Sequence, residues 1–260
     1  MKSLVITLIA AIAAISIQAQ SSEEKGLQIA KEADAIDQGF ESSSVSLTMV
    51  LKNKQGQETQ RLLETKTLEL TEDGDKSLIV FNSPKDVQGT ATLTFTHKVG
   101  SDDQWLYLPA LKRVKRISSS NKSGPFVGSE FAYEDLSSQE VEKYTYKYIE
   151  EGDVNGTAVH LVERYPVDPK SGYSKQVVAY NKENYRLEKI DFYDRRGGHL
   201  KTLTYSDYEL YLDKHWRASQ FHMINHQTGK ETRLMFEDYA FKIGLEENDF
   251  SQNSLARAGR

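Results

Sequence analysis

The 260-residue sequence contains no cysteine, and this absence removes several chemistries at once. A chain without thiols forms no disulfide, has no cysteine nucleophile and carries no lipid on an N-terminal cysteine. The motifs G-x-S-x-G and H-E-x-x-H and a phosphate-cradling glycine loop are also missing. The sequence therefore predicts neither a catalytic centre nor a cofactor. Two weaker hypotheses stay open. One is a catalytic Ser/His/Asp triad whose members are distant in the sequence and meet only in the folded protein. The other is a metal ion bound by His222 and His226.

The chain also lacks the positive charge that general nucleic-acid binding requires. Its net charge is −5 and its pI is about 5.8, which argues against nucleic acid as a partner. Hydrophobic residues make up 38% of the chain, enough for a sizeable core. Fourteen tyrosines against two tryptophans favour strands with amphipathic faces.

Only the N-terminus carries a long apolar run, at residues 4–17, and Gln18-Ala19-Gln20 follows it as a small-residue cleavage site. This run is too short to cross a bilayer, so we expect a secretory signal peptide at residues 1–19, cut after Ala19. Residues 20–260 then form a single exported domain. A Gram-negative periplasm suits an exported protein that uses no disulfides, and we expect a soluble monomer there.

The pattern of the mature chain predicts one helix followed almost entirely by strands. Residues 22–39 have an amphipathic helical spacing, and alternation such as Val45, Leu47 and Met49 then continues through the chain. About eleven strands, mostly joined by short turns, form a single antiparallel meander. A sheet of that size must curl and needs cover for its concave face. The sequence thus predicts a mainly β open half-barrel with an N-terminal helix and a central lid over an apolar cavity.

A long central loop (residues 118–143) is the least ordinary part of the sequence. The strand before it places Trp105 and Tyr107 on one side, and the loop itself carries Phe126, Phe131 and Tyr133. Aromatic side chains in a long loop are costly to leave in water, so they should cover or enter something hydrophobic. These five residues are the predicted cavity and lid residues. Packing in an ordinary core is the alternative for Trp105 and Tyr107.

A basic cluster lies between that strand and the loop. It consists of Lys112, Arg113, Lys115 and Arg116, in an otherwise acidic chain. The functional interpretation is a contact with an anionic partner surface or with lipid headgroups. The alternative is a solvated face, or charges that protect an edge strand from pairing with another chain.

The block WLYLPALKRVKRISSSNKSGPFVGSEFAYEDL resembles that of the LolA-like outer-membrane lipoprotein-sorting proteins, in particular a subgroup associated with RND/MMPL-type lipid exporters. The residues that carry the resemblance are Trp105, Tyr107, Pro109, Gly128, Ser129, Phe131, Tyr133, Asp135 and Leu136. The resemblance covers essentially the whole mature chain. It implies a half-barrel with a helical lid that shields acyl chains. The general lipoprotein carrier is usually shorter and lacks the full block, so the cargo is either a lipoprotein or another lipid.

The predicted function is that of a periplasmic carrier for the acyl chains of a lipoprotein or lipid, moving toward the outer membrane. The expected partners are the cargo, an inner-membrane exporter of the RND/MMPL type and an outer-membrane acceptor. A periplasmic sensor or adaptor for a membrane protein would use the same cavity and is the alternative function. A hydrolase acting on a lipid-like substrate is a third reading, which turnover in a vesicle assay would reveal.

Overall fold

A computed structural model describes residues 20–258 of the chain. The predicted signal peptide therefore lies outside the described residues. Two helices are present, α1 (Ser22–Asp37) and α2 (Gln252–Ala258). Thirteen strands lie between them: β1 (Ser42–Lys52), β2 (Glu58–Leu68), β3 (Lys76–Ser83), β4 (Ala91–Phe95), β5 (Asp103–Leu108), β6 (Arg113–Ile117), β7 (Tyr144–Val154), β8 (Thr157–Pro166), β9 (Tyr173–Asn181), β10 (Leu187–Asp194), β11 (His199–Tyr211), β12 (His215–Asn225) and β13 (Glu231–Phe241).

All thirteen strands form one open antiparallel sheet, which confirms the predicted mainly β half-barrel. The strand order is β6-β5-β4-β3-β2-β1-β13-β12-β11-β10-β9-β8-β7. The first six strands thus run outward to one edge of the sheet, and the last seven return from the opposite edge. Because β1 and β13 pair in the middle, the central loop must connect one edge of the sheet to the other.

Helix α1 begins with a capping box, in which Ser21 accepts from the Glu24 backbone N–H and Glu24 accepts from that of Ser21. The helix packs most closely on β7. A Cβ atom at Gly26 would lie 2.8 Å from the backbone nitrogen of Tyr148, so glycine allows the helix to approach this strand. We call the face of the sheet that meets α1 and the central loop the inner face.

The two faces of the sheet carry two separate cores, as alternation along β3 shows. Phe81 belongs to the inner core and Leu78 to the outer core. The inner core draws on α1, the loop and most strands, and includes Ile29, Leu47, Met49, Phe126, Val162, Val178, Ile190 and Met223. The outer core is smaller and consists of Leu78, Ala91, Leu93, Tyr107, Phe250 and Leu255. Both faces of β3 are therefore apolar and covered.

The C-terminal segment covers the outer core. The polar tail from Asn253 onward is typical of a poorly ordered terminus, but α2 forms over Gln252–Ala258. Leu255 is 0% exposed and Phe250 is 2% exposed. A seven-residue helix has little stability of its own, so tertiary packing of these two side chains explains its presence. Sequence periodicity gives almost no signal over so short a helix.

Leu255→Ala tests whether α2 is a structural part of the domain. Removing a fully buried leucine should lower the free energy of unfolding by about 2–5 kcal/mol, measured by urea denaturation. Gln252→Ala, at an exposed position of the same helix, should change it by less than about 0.5 kcal/mol. Equal stability of the two variants would show that α2 does not pack on the outer core.

Candidate functional site

The central loop places its aromatic side chains in the inner core. Phe126 is 1% exposed, and its ring centroid lies 5.5 Å from that of Phe81 on β3 and 5.7 Å from that of Tyr133. Phe131 is buried in the same cluster. The structure thus brings together three predicted lid residues, Phe126, Phe131 and Tyr133. They occupy the apolar interior that the sequence predicted as a cavity.

Trp105 and Tyr107 lie on the other face of the sheet, away from the central loop. Tyr107 packs in the outer core with Phe250, and Trp105 contacts Phe95 with ring centroids 5.1 Å apart. The inner face of β5 carries Gln104 instead, which donates to the Tyr133 carbonyl at 2.9 Å. The structure therefore places Trp105 and Tyr107 in an ordinary core, the alternative for these two residues, and not beside the loop aromatics. Both faces of β5 are apolar in sequence, so alternation alone could not decide which face meets the loop.

The basic residues lie on β6, an edge strand of the sheet, and on the turn before it. Arg113, Lys115 and Arg116 are exposed, and Arg116 pairs with Asp103 on the neighbouring strand. Lys112 occupies the turn in a left-handed conformation with φ 47°. The cluster is therefore accessible but separate from the loop aromatics. Its position also fits the alternative interpretation, in which charges protect an edge strand.

A buried polar contact fixes the middle of the loop to the sheet. Lys201 on β11 donates to Asp135 at 2.6 Å, and their side chains are 4% and 7% exposed. The Tyr173 hydroxyl donates to the same carboxylate at 2.7 Å, and the Asp135 carboxylate also accepts from the Ala132 N–H. Lys201 donates in addition to the Glu130 carbonyl. We call Asp135, Lys201 and Tyr173 the latch.

Further hydrogen bonds hold the loop on both sides of the latch. Glu130 accepts from Asn225 at 2.6 Å, and its backbone N–H donates to Thr232 at 3.0 Å. Glu134 accepts from the Ser171 hydroxyl and from the Gly172 N–H, both at 2.8 Å. Burial raises the pKa of Glu134, and the nearby charge of Asp135 raises it further. The closed position of the loop is thus maintained by polar contacts as well as by aromatic packing.

An acidic cluster lies where the loop ends and meets α1. Burial raises the pKa of Glu140 to about 7, with further contributions from the charges of Asp75 and Asp34, while Lys143 and Lys98 oppose the shift. Burial likewise raises the pKa of Asp75 to about 6. Asp75 accepts from the Ser138 hydroxyl at 3.1 Å, so these carboxyl groups join the β2–β3 turn to the end of the loop.

A band of half-buried aromatic rings continues along the inner face of β11–β13. Phe221 lies between two other rings, with its centroid 4.7 Å from that of Tyr205 and 4.6 Å from that of Phe236. The Tyr239 ring comes next, with its centroid 6.0 Å from that of Phe236. The pairing register shifts beside Asp238, whose φ is +57°. This bulge places Phe236 and Tyr239 on one face although they are three residues apart. Sequence alternation did not identify the band for that reason.

Two cavities border the central loop. One, of about 300 Å³, lies between the end of the loop, the β4–β5 turn and the β8–β9 turn. The other, of about 740 Å³, is open to solvent and lies between residues 123–132 of the loop and the turns that follow β8, β10 and β12. Both have polar and apolar walls. Neither occupies the inner core beneath the loop, where Phe126 is packed.

The histidine pair considered in the sequence is not brought together. His222 contacts Glu231 at 2.8 Å, whereas His226 lies beside His199, with ring centroids 4.4 Å apart and the rings tilted by 37°. Within residues 20–258, no three histidine, aspartate or glutamate side chains are grouped so that they could hold a metal ion. Over the same residues, no helix is long and apolar enough to cross a membrane.

Comparison with known proteins gives several matches over most of the chain. A family model described as "-like: Uncharacterized protein" matches residues 73–257. A solved domain from Vibrio parahaemolyticus, named for outer membrane lipoprotein sorting, is 56% identical, with a TM-score of 0.89 over 90% of this chain and 100% of that one. A DUF1329 family protein from Desulfovibrio piger is 27% identical, with a TM-score of 0.85 over 90% and 99% of the two chains.

More distant similarity extends to the LolA superfamily. A member from Nitrosomonas europaea is 19% identical, with a TM-score of 0.72 over 88% of this chain and 99% of that one. At this identity the likeness shows the fold alone, the open half-barrel described above. A comparison with curated proteins returns no match.

Asp135→Asn tests the latch. The variant leaves the buried Lys201 ammonium without its charged partner, which should cost about 3–5 kcal/mol. If this cost is relieved by opening of the loop, chymotrypsin should cleave after Phe126, Phe131 and Tyr133 at least roughly 100-fold faster. Lys242→Met, which removes the exposed pair with Glu41, should leave the cleavage rate nearly unchanged. A wild-type cleavage rate in Asp135→Asn would exclude a latch role for this pair.

The acidic cluster predicts a pH dependence of stability. The folded-state pKa values of Glu140 and Asp75 lie above their usual values of 4.5 and 3.8, so the folded protein binds protons more tightly than the unfolded chain. Their stabilising contribution is present below about pH 4 and is lost as the pH rises through 6–7. The free energy of unfolding should therefore fall between pH 5 and pH 8, by on the order of 2 kcal/mol.

Glu140→Gln should reduce this fall, because the amide does not ionise. Urea unfolding of both proteins at several pH values measures the difference. Identical pH profiles for the wild type and the variant would mean that Glu140 titrates normally in the folded state.

Proposed function

Because the chain belongs to the outer membrane lipoprotein-sorting protein family, we propose that it is a periplasmic carrier that shields acyl chains during transfer toward the outer membrane. The observation that carries the proposal is the central loop, whose buried aromatic rings cover the inner face of the half-barrel. In this closed form the loop occupies the place of the cargo. Loading requires the loop to leave and acyl chains to take its position.

The exchange replaces one apolar surface by another. Fully burying a large apolar side chain is worth about 1.5–3 kcal/mol, and each buried CH₂ of an acyl chain is worth about 0.8 kcal/mol. A few chain segments therefore offset the loss of the Phe126 and Phe131 contacts. The loop also keeps the inner face out of water when no cargo is bound, which protects the protein from aggregation.

The aromatic band on β11–β13 offers acyl chains a first contact. Tyr205, Phe221 and Phe236 are partly exposed while the loop is closed, and they pack directly against the inner core. A chain that settles on this band can extend beneath the loop as the latch opens. The cargo is either a lipoprotein or a lipid, since both present acyl chains to the same apolar surface.

The proposed partners are an inner-membrane exporter of the RND/MMPL type, which supplies the cargo, and an outer-membrane acceptor. The exposed basic residues on and beside β6 support docking at an anionic surface at either membrane. Arg113 and Lys115 are exposed, and neither forms an ion pair among residues 20–258. Transfer by a monomer in the periplasm is the simplest arrangement for this role.

A disulfide across the loop tests the proposal, because the chain has no cysteine of its own. The Glu130 backbone N–H donates to the Thr232 Oγ1 atom at 3.0 Å, so the two residues are direct neighbours across the loop and are chosen for a designed disulfide. Glu130→Cys/Thr232→Cys should form a bond that locks the loop closed. Transfer of a fluorescent acyl lipid between two vesicle populations should then fall to the protein-free rate, and reductant should restore it.

The single variants Glu130→Cys and Thr232→Cys control for the substitutions themselves and should respond to neither oxidation nor reduction. Transfer by the oxidised double variant at the rate of its reduced form would contradict a carrier in which the loop opens.

The basic residues give a separate prediction. Arg113→Ala/Lys115→Ala should slow transfer from donor vesicles that contain phosphatidylglycerol, by roughly five-fold for each charge removed, because each cation near an anionic surface contributes about 1 kcal/mol. Added salt should slow the wild type in the same way. Lys31→Ala/Lys85→Ala, two exposed cations elsewhere, is the matched control. Equal rates for both double variants would remove β6 from the docking surface.

A further inference from the structure

The open cavity of about 740 Å³ beside the central loop has the size of a ligand site. Residues 123–132 of the loop form one wall, and the turns that follow β8, β10 and β12 form the other. Its apolar surface includes Phe131, Tyr173 and Leu200. Phe131 and Tyr173 also belong to the inner core, so this cavity opens from solvent directly onto the edge of the predicted acyl-binding surface.

The charged residues around the cavity are mainly cationic although the whole chain is acidic. Four cations, Arg195, Arg196, Lys201 and Lys230, face two carboxylates, Glu130 and Asp194. The excess is therefore positive in a chain whose net charge is −5. A local field of this sign in a concave surface attracts anions.

Both carboxylates are held by neutral donors. Asp194 accepts from the backbone N–H groups of Arg196 and Gly198, each at 2.9 Å, and from the Gln227 amide at 2.7 Å. Glu130 accepts from the Asn225 amide. These contacts keep the carboxylates in the walls of the cavity, and among residues 20–258 neither carboxylate forms an ion pair with one of the four cations.

Two of the cations are free to meet a ligand. Arg196 and Lys230 are exposed and form no ion pair among residues 20–258. Arg195 is oriented differently, because its guanidinium donates to the carbonyls of Ser171 and Lys170, both at 2.8 Å. Lys201 is buried against Asp135. An anion in the cavity would thus bind Arg196 and Lys230 at the rim. Lys201, a member of the latch, lies deeper.

We propose that this cavity binds the anionic headgroup of the cargo, a phosphate group on an amphiphile whose acyl chains lie on the inner face. The inference rests on the proposed carrier function and specifies its substrate class as an anionic lipid. The cationic rim and the apolar wall lie side by side, as the polar and apolar parts of such a molecule do. Because Lys201 lines the cavity and holds Asp135, headgroup binding acts at the residue that fastens the loop.

Binding of short-chain lipids below their micelle concentration tests the site without any transfer step. Isothermal titration calorimetry compares dihexanoyl-phosphatidylglycerol, which is anionic, with dihexanoyl-phosphatidylcholine, which has the same chains and no net charge. The wild type should prefer the phosphatidylglycerol. Arg196→Ala/Lys230→Ala should weaken phosphatidylglycerol binding by about 25-fold, roughly five-fold for each cation, and weaken phosphatidylcholine binding much less, because choline already neutralises that phosphate.

Lys31→Ala/Lys85→Ala removes two exposed cations elsewhere; it is the charge-matched control and should bind both lipids as the wild type does. Inorganic phosphate is the second ligand. If millimolar inorganic phosphate fails to displace bound phosphatidylglycerol, the site binds the anion as part of a lipid headgroup. Competition that depends on Arg196 and Lys230 would overturn the lipid assignment in favour of free phosphate.

Equal phosphatidylglycerol affinity in the wild type and Arg196→Ala/Lys230→Ala would overturn the site itself. This binding measurement does not depend on the disulfide experiment, because it detects binding of a monomeric lipid and involves no transfer between vesicles. Loss of selectivity in the variant, together with wild-type transfer no faster than the protein-free rate, would support the headgroup site and reject the carrier.

Discussion

The pairing of β1 with β13 is the constraint on which the rest of the structure depends. It places β6 and β7 at opposite edges of one sheet, so the chain between them has to cross a whole face. A sheet of thirteen strands that is not closed leaves that face open to water. The central loop resolves both requirements, because it connects the edges and covers the apolar surface between them.

The crossing loop is held by two kinds of interaction with different consequences. Its aromatic rings, Phe126 foremost, match the apolar inner face without specifying a unique partner, so hydrocarbon can take their place. The latch of Asp135, Lys201 and Tyr173 is buried and depends on specific partners. Its stabilising free energy is lost once one of the three side chains moves away. A loop with a replaceable apolar surface and a specific polar fastening suits a carrier that is closed when empty. The cationic cavity beside the loop gives the headgroup of a cargo a place next to that fastening.

The sequence predicted the parts of the fold that depend on local pattern. Helix α1, the antiparallel hairpins and a central loop with buried aromatic residues follow from periodicity and turn spacing. A single meander would pair β6 with β7, and the pairing of β1 with β13 has no local signal in the sequence. The faces of β5 were not predictable, since both are apolar and only the tertiary structure decides that Gln104 meets the loop while Tyr107 meets α2. Helix α2 is too short to show a pattern. The latch joins Asp135 to a lysine 66 residues later, and no local signal connects two such positions.

Hydrogen exchange of the central loop, with and without a bound long-chain phosphatidylglycerol, tests the central claim most directly. In the unliganded protein the backbone amides of Phe126 and Tyr133 donate to carbonyls within the loop and should be protected. If acyl chains replace the loop on the inner face, exchange over residues 124–136 should become faster when lipid is bound, while β1 and β13 stay protected. Unchanged or slower exchange in that segment at saturating lipid would contradict displacement of the loop by cargo.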